Sequence, residues 1–239
     1  MKAMILAAGL GTRLQPITEK CPKALVKLGN KTLLEHLILK LINFGISDIL
    51  VNIHHFSDQV VSFLQRNRSF GINIQISDES HRLLDTGGAI KKASWFFNDG
   101  APFIVHNVDI FTNFDIPQMR TYHVKSNAMA TLAVRTRESG RYLLLDEAGD
   151  LCGWKNNKTG ETIWAHEREK VQTYAFSGVQ IINPIIFSHF PEDEQFSIIK
   201  AYLDIAKNNK INTYVHDQSI WFDVGDPQNL EKASHYLKD

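Results

Sequence analysis

Short apolar runs alternate with amphipathic stretches through the first half of the chain, and that order restricts the fold more than any other feature. Lys2–Ala8 (KAMILAA) reads as a strand buried on both faces, and Ile49–Ile53 (ILVNI) as a second. Ile72–Ser77 (INIQIS) alternates in polarity, and Pro102–His106 (PFIVH) is again a short buried run. Between them, Thr32 to Gly45 sets leucines and isoleucines at helical spacing and ends on Gly45 as a stop. A second helix starts at Ser57 as N-cap with an acidic first turn, and Ala89–Phe97 is a third. A strand–helix–strand–helix order calls for a parallel sheet with helices on its faces. In such sheets ligands bind beyond the carboxyl ends of the strands.

The second half is less regular. NAMATLAVRT and RYLLLDEAGDLCGW read as strands, the latter a hairpin around Glu147–Asp150, and Tyr174–Asn183 as another strand. Phe196–Asn208 is an amphipathic helix, and a last helix opens at Pro227 with proline in its first turn. Asn156–Lys170 is polar and reads as a loop. No linker or repeat interrupts the 239 residues, which are expected to form one domain, 1–239.

Composition removes several classes. Lys+Arg and Asp+Glu are equal at 26 each, so there is no basic excess for nucleic acid. No apolar run approaches the ~20 residues that span a bilayer, so no membrane partner is expected. The apolar start of MKAMILAAGLGTRL lacks a small-residue cleavage site and is read as a strand, not a signal peptide. Two cysteines, Cys21 and Cys152, make no disulfide framework, and a cytoplasmic location follows. Composition leaves the oligomeric state open and is compatible with a homo-oligomer.

The first strand runs into Gly9-Leu10-Gly11-Thr12-Arg13-Leu14, where backbone N–H groups can cup an anion. It lacks the lysine–hydroxyl end of a Walker A loop. It also lacks the third small residue and the later acid of a dinucleotide fingerprint, since Leu14 stands where a small residue belongs. Arg13 follows the glycines, and Lys23 stands in a loop stiffened by Pro16 and Pro22. Two cations over a backbone cradle suit a triphosphate; each could equally be a solvated loop charge. Asp109 follows a buried strand in PFIVHNVDIF, and Asp223 sits in WFDVGDP before a glycine turn. Either alone is compatible with a cap or turn, but as a pair on two strand ends they suit a hard cation. In LLDTGGAI, Asp85 or Thr86 caps a helix whose first turn holds Gly87 and Gly88. Glycine there costs about 1 kcal/mol relative to alanine, so either something approaches that backbone closely or the turn is simply tight. Asn52, His54 and His55 end a strand, but adjacent side chains on a strand point to opposite faces, so a structural histidine is expected rather than a metal site. Trp95 is expected in the core.

AAGLGTRLQPITEKCPKALVKL resembles the signature of the sugar-1-phosphate nucleotidylyltransferases, with Gly9, Gly11, Thr12, Arg13, Leu14, Pro16, Thr18, Pro22, Lys23 and Leu25 in matching order. Asn107-Val108-Asp109 and Trp221-Phe222-Asp223-Val224-Gly225 match that family's two metal motifs. The resemblance implies an α/β, three-layer, Rossmann-like nucleotide-diphospho-sugar transferase fold with a mostly parallel central mixed sheet. Its nucleotide-binding half would be 1–115 and its sugar-phosphate half 116–239. It implies Arg13, Lys23, Asp109 and Asp223 as catalytic residues, the two aspartates holding Mg²⁺. It assigns Ala8, Gly9, Gly11, Thr12, Arg13, Lys23, Thr86, Gly87 and Asn107 to the nucleotide, and Gly178 and Trp221 to the sugar. The family's Glu-Lys-Pro segment is absent, which leaves Lys155, Lys158 and Lys170 as alternatives for the acceptor phosphate. The short form with DTGGAI resembles the N-acetylmuramate-1-phosphate uridylyltransferases and the mannose- or heptose-1-phosphate guanylyltransferases. The expected substrates are therefore UTP or GTP with one of those sugar 1-phosphates. Two other readings stand beside it: a nucleotide-sugar-binding regulator of weak activity, and a cytidylyltransferase acting on a phosphocholine-like acceptor.

Overall fold

The computed structural model describes residues 1–237. In chain order it begins with β1 (Ala3–Leu6), β2 (Lys27–Leu28), β3 (Lys31–Thr32), α1 (Leu33–Asn43), β4 (Asp48–Ile53), α2 (Ser57–Arg66) and β5 (Asn73–Asp78). There follow α3 (Asp85–Lys92), β6 (Phe103–Asn107), β7 (Ile110–Thr112) and α4 (Ile116–Ser126). Next come β8 (Ala130–Arg135), β9 (Arg141–Leu145), β10 (Leu151–Asn156), β11 (Thr162–Trp164) and β12 (Gln172–Ile182). The chain closes with α5 (Ile198–Ala206), β13 (Ile211–Val215), β14 (Trp221–Asp223) and α6 (Pro227–Tyr236). It divides into two compact units. The first comprises Met1–Leu84, Val105–Phe114 and the described part of Ser219–Asp239; the second comprises Asp85–Ile104 and Asp115–Gln218.

In the first unit β1 pairs in parallel with β4, and β4 with β5, while β6 neighbours β1. The expected parallel sheet is thus present, its strands within a residue or two of the apolar runs. Met4, Ile5, Ile49, Leu50 and Val51 are buried in its core together with Leu34, Ile38 and Leu41 of α1. Thr32 caps α1 by accepting from the Glu35 N–H at 3.1 Å. Gly45, at φ 74°, ends the turn and donates its N–H to the Ile42 carbonyl. The start of α2 differs from expectation. The cap position is Phe56, in the left-handed region with its ring against His55, and Ser57 is the first helical residue. A two-stranded antiparallel ribbon of β7 and β14 sets Asp223 opposite Ile110.

The second unit is mixed. Strand β12 runs antiparallel to β8 and β9, while β8 runs parallel to β13. The pairing of β12 with β8 shifts register between Phe176 and Gln180, and Gly178 lies in that irregularity at φ 76°. The polar stretch read as a loop contains β11, paired with β10, because the bare Cα of Gly153 makes room for Trp164: a Cβ there would stand 2.8 Å from the indole. Helix α4 escaped the periodicity because only Ile116, Met119 and His123 of it are buried. Asp115 accepting from the Gln118 N–H, with Pro117 in the first turn, is the signal that marks its start. Trp95 corrects another expectation. It is 54% exposed, while its neighbours Phe96 and Phe97 are buried and Phe97 stacks on Phe103 at 3.8 Å. Among the described residues no helix is long and apolar enough to cross a membrane.

Two buried histidines give stability a pH dependence. Burial, with the Lys40 charge adding to it, lowers His106 to about 3, and burial lowers His123 to about 4. Both therefore stay neutral in the fold below the ordinary imidazole value and bind protons only on unfolding. Their contribution is complete above about pH 6.5 and is lost as pH falls toward those folded values. The urea midpoint should accordingly drop steadily from pH 6.5 to pH 4.5, and His106→Asn should flatten part of that slope.

Candidate active site

The loop after β1 is built to hold an unusual path. Ala7 and Ala8 are buried, Leu14 is buried as the loop's anchor, and Gly9, Leu10 and Thr12 face solvent. Gly11 sits at φ 67°, and a Cβ there would meet the Thr18 methyl at 2.9 Å. The Thr18 hydroxyl donates to the Gly11 carbonyl at 2.7 Å, closing the loop on itself. Single turns at Thr12–Leu14 and Lys23–Leu25 then present Arg13 and Lys23.

Both cations meet the two predicted carboxylates. Lys23 Nζ is ion-paired with Asp109 Oδ2, and Arg13 Nη2 lies 3.4 Å from Asp223 Oδ2. The Lys23 and Asp109 side chains are mostly buried, at 11% and 16% exposure, whereas Arg13 is 57% exposed. Backbone bonds pin the acids. The Val108 N–H donates to the Leu6 carbonyl, and the Val224 N–H to the Asp109 carbonyl at 2.9 Å. The Gly225 N–H donates to Asp223 Oδ1 at 3.0 Å. Gly225 stands in the second metal motif, where the sequence assigns it no role of its own. A Cβ on it would stand 2.7 Å from Arg13 Nη2, from Asp223 Oδ1 and from Lys23 Nζ, so three of the four charged groups converge on its bare Cα. Its signal was already present, a glycine directly after Asp223-Val224.

The other predicted positions are divided between the two units. Asn107 ends β6, its carbonyl beside His106 Nδ1 at 2.8 Å. Trp221 is half-buried in β14, opposite Thr112. Thr86, Gly87 and Gly178 belong to the second unit. There the close approach to Gly87 comes from Phe196, whose carbonyl accepts the Gly87 N–H at 2.9 Å. A Cβ on Gly87 would stand 2.3 Å from the Phe196 ring. His54 Nδ1 faces the Glu79 carbonyl at 2.7 Å and must carry the proton, while His55 is exposed. A cleft of about 500 Å³ lies elsewhere in the first unit, along α1 and β7, and neither Lys23 nor Asp109 lines it.

Metal-ligating capacity is limited to few groups: no cluster of three or more histidine, cysteine or acidic side chains occurs among the described residues. Asp109 and Asp223 nevertheless fit a small hard cation, because Mg²⁺ is commonly held by one or two carboxylates and completes its shell with water and phosphate oxygens. Two cations, two carboxylates and a glycine-rich loop at the carboxyl end of a parallel strand are groups suited to phosphate chemistry on an α/β fold.

The chain belongs to the nucleotidyl transferase family, whose sequence profile matches residues 2–150. It is 30% identical over 236 residues to an N-acetylmuramate alpha-1-phosphate uridylyltransferase from Caulobacter vibrioides, covering 95% of this chain and 92% of that protein. It is 28% identical over 234 residues to a mannose-1-phosphate guanyltransferase from Yarrowia lipolytica, matching 96% of this chain but only 62% of that one. The fold is that of a putative glucose-1-phosphate thymidylyltransferase from Bacillus anthracis, with a TM-score of 0.81 at 20% identity, covering 100% of this chain and 96% of that one.

Proposed function

We propose that the chain joins a nucleoside triphosphate to a sugar 1-phosphate, releasing pyrophosphate and a nucleoside-diphosphate sugar. The observation that carries this reading is the convergence of Arg13, Lys23 and Asp223 on Gly225, with Asp109 paired to Lys23. An oxygen of the sugar phosphate attacks the α-phosphorus in line. The bond from that phosphorus to the bridging oxygen breaks, and its electrons leave with pyrophosphate. The nucleophile is already anionic at neutral pH, so no general base is required, and catalysis is positioning with charge neutralisation. Lys23 turns from Asp109 to the α-phosphate, and Arg13 holds the leaving pyrophosphate. Ala8, Gly9, Gly11 and Thr12, with Thr86, Gly87 and Asn107, bind the nucleotide; Gly178 and Trp221 bind the sugar. Asp109 and Asp223 would hold Mg²⁺, which supplies further neutralisation of the phosphates when bound.

The match to the uridylyltransferase along nearly the whole of both chains supports UTP with N-acetylmuramate 1-phosphate as the first pair to try. GTP with mannose or heptose 1-phosphate comes next. A product of this kind is an activated sugar for cell-envelope synthesis, made in the cytoplasm where the triphosphate is supplied. The test is pyrophosphate release with Mg²⁺ over a grid of UTP, GTP, CTP, dTTP and ATP against N-acetylmuramate, mannose, heptose, glucose and N-acetylglucosamine 1-phosphates. One productive pair is expected. Silence across the grid, with a triphosphate still raising the melting temperature, would favour binding without turnover or a phosphocholine-like acceptor.

A further inference from the structure

A buried carboxylate lies behind the glycine-rich loop and takes no part in the chemistry described above. Glu79, just past β5, is 2% exposed, as is Asn52 in β4. Asn52 Oδ1 accepts the Ala7 N–H at 2.8 Å, and Asn52 Nδ2 donates to Glu79 Oε1 at 2.7 Å. Glu79 Oε2 accepts the Leu84 N–H at 3.1 Å. The orientation of the Asn52 amide is fixed by chemistry, since only its oxygen can face an N–H and only its nitrogen a carboxylate. The Glu79 backbone is held as firmly. Its N–H donates to the Ile53 carbonyl at 2.7 Å, and its own carbonyl accepts from Arg82 N–H and faces His54 Nδ1.

Burying a carboxylate is expensive, and the two N–H donors from Asn52 and Leu84 offset only part of that. Sheet pairing alone does not call for it, because an apolar residue would fill the same space. What the chain of bonds does accomplish is local. Ala7 leads directly into Ala8-Gly9, and Leu84 leads directly into Asp85-Thr86-Gly87. Both ends are segments assigned above to the nucleotide.

We propose that Asn52 and Glu79 are positioning residues that set the backbone on which the nucleoside triphosphate lies; this rests on the function proposed above. Neither side chain touches substrate. The pair fixes where the Ala7–Gly9 segment stands, and so acts on nucleotide affinity rather than on the attack.

An amide–carboxylate exchange tests it. Glu79→Gln leaves one amide hydrogen facing another donor, and Asn52→Asp sets two carboxylates against each other. The double variant, Asn52→Asp with Glu79→Gln, restores all three bonds. The carboxylate now on β4 accepts from the Ala7 N–H and from the new amide, whose oxygen accepts from the Leu84 N–H. Each single variant should weaken UTP or GTP, in KM and in calorimetric Kd, by about tenfold or more. The sugar 1-phosphate KM and kcat should move far less. The double variant should return the triphosphate Kd to near the wild-type value, and should do so even if a single variant fails to fold. Unchanged triphosphate binding in a folded single variant would overturn the proposal. So would a double variant no better than the singles, or a parallel loss of both KM values and of melting temperature. If the wild type itself neither binds nor turns over UTP or GTP, the proposed function fails first, and this inference with it.

Discussion

Lys23→Ala should lower kcat by about 10²–10³-fold, the range found when one preorganised charge-stabilising group is removed from a transition state. Lys23 is well placed for that effect: it is mostly buried, on a single turn behind Pro22, and already directed at Asp109. A cation enclosed there has only to turn from Asp109 as negative charge builds on the α-phosphate. The alanine variant also leaves Asp109 without its partner. Breaking a fully buried pair costs about 3–5 kcal/mol, and the partial exposure of this one places the loss below that range. Turnover and thermal unfolding therefore need to be measured together, with Lys23→Met as a variant that keeps the packing and drops the charge. Both variants should lose turnover to the same extent. On the proposal that Asp109 holds the divalent ion, Lys23 would compete with it, and Lys23→Met should also reach half-saturation at lower Mg²⁺. Near-normal turnover in a folded Lys23→Met protein would remove the lysine from the mechanism and with it most of the case for the proposed reaction.

The part of this site that could be read from the sequence is the part carried by local pattern. A glycine-rich loop after a buried strand, prolines around a lysine, and acids at strand ends are each short-range signals, and Arg13, Lys23, Asp109 and Asp223 occupy those positions. Their pairing is a long-range fact. It depends on the β7–β14 ribbon setting Asp223 opposite Ile110, which no local pattern encodes. The same limit hid the Asn52–Glu79 contact, since each residue looks like an ordinary polar strand end until β4 and β5 are placed side by side. Periodicity failed where burial is sparse or comes from one partner. Three buried residues do not mark α4, and Trp164 makes a strand of a polar stretch only because Gly153 lies beneath it. Trp95 was misplaced for a related reason. Two buried phenylalanines follow it on a tight 3₁₀ turn, which leaves the indole outside.

Gly225→Ala should cut turnover by about 10²-fold, the loss expected when reacting groups are displaced by about 1 Å, while changing stability little. The added methyl carbon would lie 2.7 Å from Arg13 Nη2, Asp223 Oδ1 and Lys23 Nζ at once. Contacts that short cannot be kept, so the charged groups must give way. Arg13 is the most exposed and swings out first. Asp223 is tethered by the Gly225 N–H itself and Lys23 is enclosed beside Asp109, so neither moves without disturbing the acids. Cohesion elsewhere is untouched, because Val224 remains buried and its N–H stays on the Asp109 carbonyl. A stability loss would thus be small beside the kinetic one, which separates this substitution from a core mutation of similar size. Steady-state kinetics with the productive substrate pair, read against urea unfolding, decides the matter. If Gly225→Ala kept both kcat and the triphosphate KM of the wild type, Arg13, Lys23 and Asp223 could not be acting as one arrangement over that glycine. The reading of this cluster as the centre of phosphoryl transfer would then have to be given up.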